Sequence, residues 1–239
     1  MDGAGTHPLD NPALAALTTG AHARFAERHG RVLRYPVDMS PFVGVPPDAD
    51  AAVWSEAAEL VGPGNLLVLA GYPTPPPDDW EQVFHLPGAQ LTGEGLRVEA
   101  DPEAVPLTAA DVPEMLDLVA RTRPGPFLPR TVEMGDYLGI RRDGALVAMA
   151  GERMRPPGWT EVSAVCTDPA FRGQGLAARL IRAVGSGIRS RGEVPFLHAA
   201  LENEGAIRLY ESLGFRVRRK LTFLGATVPG ATAPGADGA

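Results

Sequence analysis

The pattern of apolar and polar positions predicts five helices, over residues 11–30, 51–61, 109–121, 175–189 and 205–213. In the first, third and fourth of these, apolar side chains recur every three or four positions and form a stripe along one face. Thr108 and Asp111 resemble a capping box at the start of the third helix. Gly214 is a typical residue just after the end of a helix, and it closes the last one.

Short apolar runs between these helices predict strands. They lie at residues 66–70, 137–141, 145–154, 159–167, 196–201 and 215–223, with further candidates at 82–86 and 96–100. Asp143-Gly144 separates two of these runs and is a strong signal for a hairpin. Both halves of the chain mix helices with strands, so we expect an α/β (α+β) fold.

The charge is unevenly distributed along the 239 residues. The net charge is −7, and residues 1–104 carry 15 acidic and 5 basic side chains, whereas residues 105–239 carry 14 acidic and 17 basic ones. This asymmetry suggests two halves with different tasks. The pI near 5.3 argues against a nucleic-acid partner. The second half is slightly basic, which suits an anionic small molecule.

The sequence also bears on the cellular compartment. No apolar run approaches the ~20 residues that span a bilayer, which argues against a membrane partner. The first ten residues lack the basic and apolar regions of a signal peptide. Cys166 is the sole cysteine, so no intrachain disulfide can form. These features predict a cytoplasmic protein.

One segment carries the chemistry, Arg172-Gly173-Gln174-Gly175-Leu176-Ala177. A predicted strand leads into it and a predicted amphipathic helix follows it. Free N–H groups and the positive dipole end of a helix attract phosphate, glycine allows close approach, and arginine adds a charged donor. We therefore predict a pyrophosphate cradle.

Two other interpretations of this loop exist. Gly173, Gly175 and Ala178 also fit a dinucleotide-binding fingerprint. Only about 60 residues follow it, too few for the further strands of that fold, and Glu193 lies before the next strand rather than at its end. The loop could also be a glycine-rich turn without any ligand.

A second motif decides between these alternatives. The sequence resembles the GNAT superfamily of acyl-CoA-dependent N-acyltransferases, whose loop Arg/Gln-x-x-Gly-x-Gly/Ala is matched by Arg172, Gly175 and Ala177. The family's second signature, an Asn, a short helix with an aliphatic-Tyr pair and then Gly-Phe, is matched from Asn203 to Phe215. No metal is part of this resemblance.

The resemblance implies the fold and the domain division. It covers about residues 103–224 and looks most similar to a branch that includes glycine N-acyltransferase-like proteins. It implies a mixed, mostly antiparallel sheet with a splayed central pair of strands. A smaller α/β domain at residues 1–102, a diverged partial copy of the same fold, would precede it, and a disordered tail at residues 225–239 would follow.

The resemblance also implies site residues. Backbone groups of Val165 and Thr167 would bind the pantetheine arm, with Cys166 along the same path. The N–H groups from Gly173 through Gln174, Gly175 and Leu176 to Ala177 would hold the pyrophosphate beside Arg172. Asn203 would bind the pantetheine, and Tyr210 would face the thioester sulfur. The ordinary pKa of a tyrosine, near 10, is higher than that of a thiol, near 8.5. Tyr210 is therefore expected to donate a hydrogen bond to the thiolate rather than to transfer its proton.

The general base is open at this stage. Glu161 lies eleven residues before Arg172, the offset at which some members of the family carry their base, and Glu152 or a water is the alternative. Strand alternation places Glu161, Ser163 and Val165 on one face, and Val162, Ala164 and Cys166 on the other. Cys166 is expected to be a buried apolar residue rather than a nucleophile.

The expected function is an N-acyltransferase that moves acetyl from acetyl-CoA to a primary amine by direct attack in a ternary complex. The alternative is a non-catalytic acyl-CoA-binding or sensing module. The acceptor would be a small-molecule or peptide amine, and the acidic first half is expected to favour cationic amines. The oligomeric state is open, a homodimer included.

Overall fold

The computed structural model describes residues 7–71 and 74–230. Its helices and strands are, in chain order, α1 (Pro12–Thr18), β1 (Glu27–His29), β2 (Val32–Arg34), β3 (Val43–Gly44), α2 (Ala51–Val61), β4 (Leu66–Ala70), β5 (Glu81–Thr92), β6 (Val105–Leu107), α3 (Val112–Thr122), β7 (Tyr137–Arg142), β8 (Ala145–Glu152), β9 (Trp159–Thr167), α4 (Leu176–Ser190), β10 (Val194–Ala200), α5 (Glu204–Leu213) and β11 (Arg216–Thr227).

Eight of the strands form one mixed sheet in the order β4-β11-β5-β10-β9-β8-β7-β6, and β1, β2 and β3 form a small second sheet. Within the large sheet only β9 and β10 run parallel to each other. The mixed, mostly antiparallel sheet predicted from the sequence is therefore confirmed.

The two faces of the sheet are buried by different parts of the chain. On one face, α4 and α5 cover a core that includes Leu180, Val184, Leu197 and Phe215. On the other, residues of the N-terminal segment such as Leu9 and Phe42 pack against strand residues, and α3 packs through Met115 and Leu118. The N-terminal segment thus forms a layer of the same body.

The predicted boundary at residue 102 does not separate two sheets. Strand β5, which precedes that boundary, lies between β10 and β11 and pairs antiparallel with both; Ala89 is opposite Ala199 on one side and Lys220 on the other. Strand β4 extends the same sheet beyond β11. Residues 66–92 therefore complete the sheet of the second half.

Three predicted elements are wrong or misplaced. The helix predicted over residues 11–30 ends at Thr18, because the Thr18 and Thr19 hydroxyls bond backbone carbonyls four residues back and Gly20 has a φ of 88°. The strand predicted over residues 96–100 is absent, since Leu96 packs onto α4 at Gly185. The predicted candidate at 82–86 is part of the longer β5.

The predicted tail at residues 225–239 begins too early. Gly225 to Thr227 belong to β11 and pair with β4, and Val228 is buried. Residues 231–239 lie outside the described range.

Candidate active site

The central opening of the sheet comes from the way β9 leaves β10. The two strands pair only at Trp159–Val194, Thr160–Pro195 and Glu161–Phe196. Beyond these pairs β10 continues beside β5, while β9 continues beside β8. The predicted splayed pair is therefore present, and a wedge opens between residues 162–167 and residues 197–200.

A β-bulge shapes the wall of this wedge. Strand β8 pairs Gly151 with Ser163 and Met149 with Cys166, so Ala164 and Val165 together face one residue, and Ala164 has a φ of 51°. Neither Ala164 nor Val165 has a register partner on β8 or β10. Both residues therefore lie outside the regular register of the two strand ladders.

The bulge also overturns the predicted face assignment. Val165 packs with Val162 in the core below α4, whereas Ala164 and Cys166 pack in the core that contains α3 residues. The extra residue reverses the alternation, so Glu161 and Val165 do not share a face.

A cavity of about 840 Å³ fills the wedge and reaches the glycine loop. Nine of the ten residues predicted to bind the cofactor line it: Val165, Cys166, Thr167, Arg172, Gly173, Gly175, Leu176, Ala177 and Asn203. Gln174 is exposed and does not line it. Tyr210 lines the cavity as well, and Glu161 does not.

The loop before α4 leaves the helix N-terminus open towards the cavity. Gly173 and Gly175 have φ values of 78° and 73°, which glycine adopts at little cost. Gly175 caps α4 without a side-chain hydrogen bond, so the first N–H groups of the helix have no cap from a side chain. Arg172 is exposed, with its Nε donating to the Thr167 carbonyl at 3.3 Å. This arrangement suits an anionic group such as a pyrophosphate.

Helix α5 carries Asn203 and Tyr210 into the cavity wall. The Asn203 Oδ1 accepts from the Ala206 N–H at 3.1 Å and caps the helix, which leaves the amide Nδ2 as the donor. The Tyr210 ring lies edge-on to Phe215 at 6.1 Å, and burial raises the pKa of Tyr210 to about 12. The phenol therefore stays protonated across the physiological range.

Glu161 is engaged by its neighbours on every side. Its carboxylate accepts from Arg153 Nε at 2.9 Å and Nη2 at 2.7 Å, lies 2.7 Å from His198 Nδ1, and accepts from the Met154 N–H at 3.3 Å. Burial raises the pKa of Glu161, but Arg153 and His198 outweigh burial and bring it to about 2. The carboxylate is thus a poor acceptor for a proton, and this geometry argues against the predicted base.

The second candidate base is also outside the cavity. Glu152 is buried and pairs with Arg191 at 2.6 Å, and burial raises its pKa despite this partner. It does not line the cavity. Cys166 lines the cavity, yet burial raises the pKa of its thiol to about 11, which disfavours the thiolate needed for covalent catalysis.

His198 and Gln90 form a network that periodicity alone could not reveal. Gln90 Nε2 donates to the Leu9 carbonyl at 2.8 Å, and its Oε1 accepts from Arg218 at 2.9 Å. These two bonds orient the amide, so Nε2 donates to His198 Nε2 at 3.1 Å. His198 therefore carries its proton on Nδ1 and donates it to Glu161.

Sequence analysis missed a second group of cavity residues. It comprises Arg153, His198 and Glu202, together with the apolar side chains of Phe42, Val68, Phe84, Leu86 and Phe223. The four apolar residues Phe42 to Leu86 come from the first half, which contributes no acidic side chain to the lining. The expectation that the acidic half favours cationic amines gains no support here, because its charges lie elsewhere.

The described residues contain neither a metal-binding cluster nor a membrane-spanning helix. Within residues 7–71 and 74–230, no cluster of three or more His, Cys, Asp or Glu side chains could hold a metal ion. In the same part of the chain, no helix has the length and apolar character to cross a membrane.

The chain is similar to known proteins over part of its length. The model of the FR47-like protein family matches residues 137–224. N-alpha-acetyltransferase RimI of Mycobacterium tuberculosis is 39% identical over 83 residues, which are 34% of this chain and 51% of that protein. An uncharacterized protein of Mycobacterium leprae is 31% identical over 208 residues, a match that covers 73% of this chain and 55% of that protein. The chain thus spans about half the length of these curated relatives.

A solved structure matches over nearly the whole chain. A crystal structure from Novosphingobium aromaticivorans, assigned to the GNAT family of acetyltransferases, is 41% identical with a TM-score of 0.85, covering 95% of this chain and all of that one. The narrower resemblance to glycine N-acyltransferase-like proteins stays a prediction. With the splayed strands, the glycine loop and this full-length similarity together, the chain belongs to the GNAT family of N-acetyltransferases.

Proposed function

We propose that the protein transfers an acetyl group from acetyl-CoA to a primary amine by direct attack in a ternary complex. The observation that carries this proposal is the cavity itself. It joins the open N-terminus of α4 to the wedge between β9 and β10, and both the bulge residue Val165 and the Tyr210 side chain line it. A long anionic thioester fits this combination, with its phosphates at α4 and its reacting end in the wedge.

Each part of the wall has a task in this proposal. The N–H groups around Gly175 and the Arg172 guanidinium bind the pyrophosphate. Backbone groups of the bulge bind the pantetheine arm as an added strand would. The Val165 N–H stabilises the negative charge that develops on the carbonyl oxygen. The amine nitrogen forms the new C–N bond as the C–S bond breaks, and the proton lost from nitrogen ends on sulfur.

Tyr210 acts as a hydrogen-bond donor to the departing sulfur. With a phenol pKa of about 12 and a thiol near 8.5, full proton transfer from Tyr210 is uphill by about 5 kcal/mol. A neutral phenol that donates to the developing thiolate needs no such transfer. A hydrogen bond to a charged group contributes about 1.5–3 kcal/mol.

The proton of the amine is proposed to leave through water. Both oxygens of Glu161 are occupied, and Glu152 lies outside the cavity. Since neither carboxylate is available, the amine has to arrive neutral. An α-amine with a pKa near 7.7–8.0 meets this requirement more readily than a lysine-like amine near 10.4.

The Tyr210→Phe variant tests the proposal. Acetyl-CoA should raise the free energy of unfolding of both proteins by about 2.7 kcal/mol at a hundredfold excess over Kd. Thiol release with an amine panel should be about 10- to 100-fold slower in Tyr210→Phe. Tyr137→Phe is the matched control, because the Tyr137 hydroxyl is buried without a partner and does not line the cavity.

The outcomes separate an enzyme from a binding module. Binding of acetyl-CoA with no thiol release from either protein would indicate a non-catalytic acyl-CoA-binding protein. No stabilisation by acetyl-CoA or CoA would overturn the assignment of the cavity.

A further inference from the structure

The far end of the cavity has an apolar wall built largely by the first half of the chain. Phe42, Val68, Phe84 and Leu86 come from that half, and Phe223 joins them from β11. Phe42 and Phe223 lie 6.4 Å apart between ring centroids, and the His198 ring lies 5.6 Å from Phe223. The wall is therefore aromatic as well as apolar.

Two glycines leave the space that the rings of Phe84 and Phe223 occupy. A Cβ on Gly225 would lie 2.2 Å from the Phe84 ring, and a Cβ on Gly88 would lie 2.5 Å from the Phe223 ring. Phe84 and Gly225 are register partners on β5 and β11. Any side chain at either glycine would displace its ring, so these glycines fix the shape of the wall.

This aromatic wall lies across the sheet from Tyr210. Tyr210 packs in the core that contains α4 and α5, whereas Phe42 and Phe223 belong to the core on the opposite face. The cavity includes residues of both cores, so it passes through the wedge. Phe84 is 37% exposed, which shows that the wall reaches the surface. The second substrate thus has its own route to the wedge.

The charges near this wall are already paired. Arg153 lies over the Phe42 ring at 4.8 Å, and its charge is balanced by Glu161. Among the described residues, Glu202 is the one acidic side chain that lines the cavity without such a partner in the wall, and it lies between β10 and α5. A second cation on the acceptor would find no carboxylate other than Glu202 among the described residues that line the cavity.

From this geometry we infer that the acceptor is a primary amine that carries an aromatic or bulky apolar group, held against Phe84 and Phe223. The inference rests on the proposed function, and it names the acceptor class. The wall could instead hold a longer acyl chain, but a pocket for such a chain would be closed at its end. Because this wall is open to solvent, it fits an acceptor that enters from solvent better. Aromatic pairs add about 0.5–1.5 kcal/mol beyond the area they bury.

The test compares an aromatic amine with one that lacks the ring and with one that carries a second amino group. In the wild type, 2-phenylethylamine should have a kcat/KM at least about tenfold above ethylamine and 1,4-diaminobutane. Phe84→Ala should lower kcat/KM for 2-phenylethylamine about fivefold and leave ethylamine within about twofold. Val83→Ala is the control, since Val83 is exposed on the same strand and does not line the cavity. The Kd for acetyl-CoA should not change.

A binding measurement keeps the inference testable without turnover. Calorimetric titration of N-acetyl-2-phenylethylamine and N-acetylethylamine into the CoA-saturated protein should show tighter binding of the aromatic compound, reduced in Phe84→Ala. If this order holds but no amine is acetylated, the proposed function fails and the inferred site stands.

Other results would overturn the inference. One is a higher kcat/KM of the wild type for 1,4-diaminobutane than for 2-phenylethylamine. Another is an equal loss of kcat/KM for all amines in Phe84→Ala. A third is a change, caused by Phe84→Ala, in the preference between acetyl-CoA and octanoyl-CoA. The last would assign the wall to the acyl chain.

Discussion

Arg153 and Glu161 form a bidentate pair at the base of the wedge, with Nε–Oε2 and Nη2–Oε1 distances of 2.9 and 2.7 Å. Both side chains are buried, at 8% and 0% exposure. Glu161 stands where β9 makes its last pair with β10, and His198 on β10 donates to it across the opening. The pair therefore fixes the point at which the two strands separate.

Replacing Glu161 should reduce stability more than it alters chemistry. In Glu161→Gln, the Arg153 charge stays buried without its counter-ion, which costs about 3–5 kcal/mol. Urea unfolding should show this loss, while kcat/KM at permissive temperature falls without a change in its pH dependence. Glu204→Gln, at an exposed pair with Arg208, should change stability by less than about 1 kcal/mol. Loss of the rising limb of the pH–rate profile in Glu161→Gln would instead show that Glu161 is the base.

The pH dependence of activity should reflect the amine and not Tyr210. Because burial raises the pKa of Tyr210 to about 12, the phenol remains a donor throughout the range from pH 6 to 10. For an acceptor with an α-amine, kcat/KM should rise with a midpoint near pH 8, reach a plateau above about pH 9 and stay there. A falling limb between pH 8.5 and 10 that disappears in Tyr210→Phe would contradict this.

Several elements follow from local patterns alone. The strand at residues 66–70 and the strand at residues 159–167 have the predicted bounds, because each is a short apolar run between turn residues. The loop from Arg172 to Ala177 and the helix after it also follow from the sequence, and every residue of the loop except Gln174 lines the cavity. Chemistry concentrated in one segment is visible in the sequence.

The relations between distant segments could not be predicted in this way. The insertion of β5 between β10 and β11 joins residues more than one hundred positions apart, and periodicity carries no information on such pairing. The bulge at Ala164 reverses the faces of β9, and the buried partner of Glu161 becomes visible only in three dimensions. The part of the cavity that one segment builds is therefore predictable, whereas the apolar end, which both halves of the chain build, is not.

The left-handed conformation of Gly175 should be required for binding acetyl-CoA. In Gly175→Ala the new Cβ meets no atom within 4 Å, so the cost is backbone strain of about 1–2 kcal/mol. The strain should weaken acetyl-CoA binding about tenfold, because the loop that presents the N–H groups is rearranged. Gly187→Ala, inside α4, is the control and should stabilise by about 1 kcal/mol with unchanged Kd. Equal Kd values for both variants would exclude the loop from the binding site.

Arg172 should contribute a salt-dependent part of the binding energy. Its guanidinium is exposed beside the glycine loop, so Arg172→Ala should raise the Kd for acetyl-CoA about five- to tenfold at low salt. The difference should shrink between 50 mM and 500 mM salt as the charges are screened. Arg208→Ala removes an equally charged, exposed side chain outside the cavity and should leave the Kd unchanged. Calorimetric titration at several salt concentrations measures both effects.

His22 should make the protein lose stability in mild acid. The ring is buried, accepts from the Tyr35 hydroxyl at 2.9 Å on Nδ1 and donates to the Met134 carbonyl at 2.8 Å from Nε2. Burial lowers the pKa of His22 from 6.5 to about 4. The fold therefore favours the neutral ring, and its contribution is fully present above pH 6.5.

As the pH falls from 6.5 to 4, the unfolded chain binds a proton that the folded chain does not bind. The free energy of unfolding should then decrease by about 3 kcal/mol, before Glu161 is protonated near pH 2. Urea unfolding at half-unit steps of pH measures this slope. His22→Gln keeps an amide donor towards Met134 but cannot titrate. In this variant the free energy of unfolding should depend less steeply on pH between 6.5 and 4, by the contribution of one bound proton. An unchanged slope in that variant would assign the acid sensitivity to other groups.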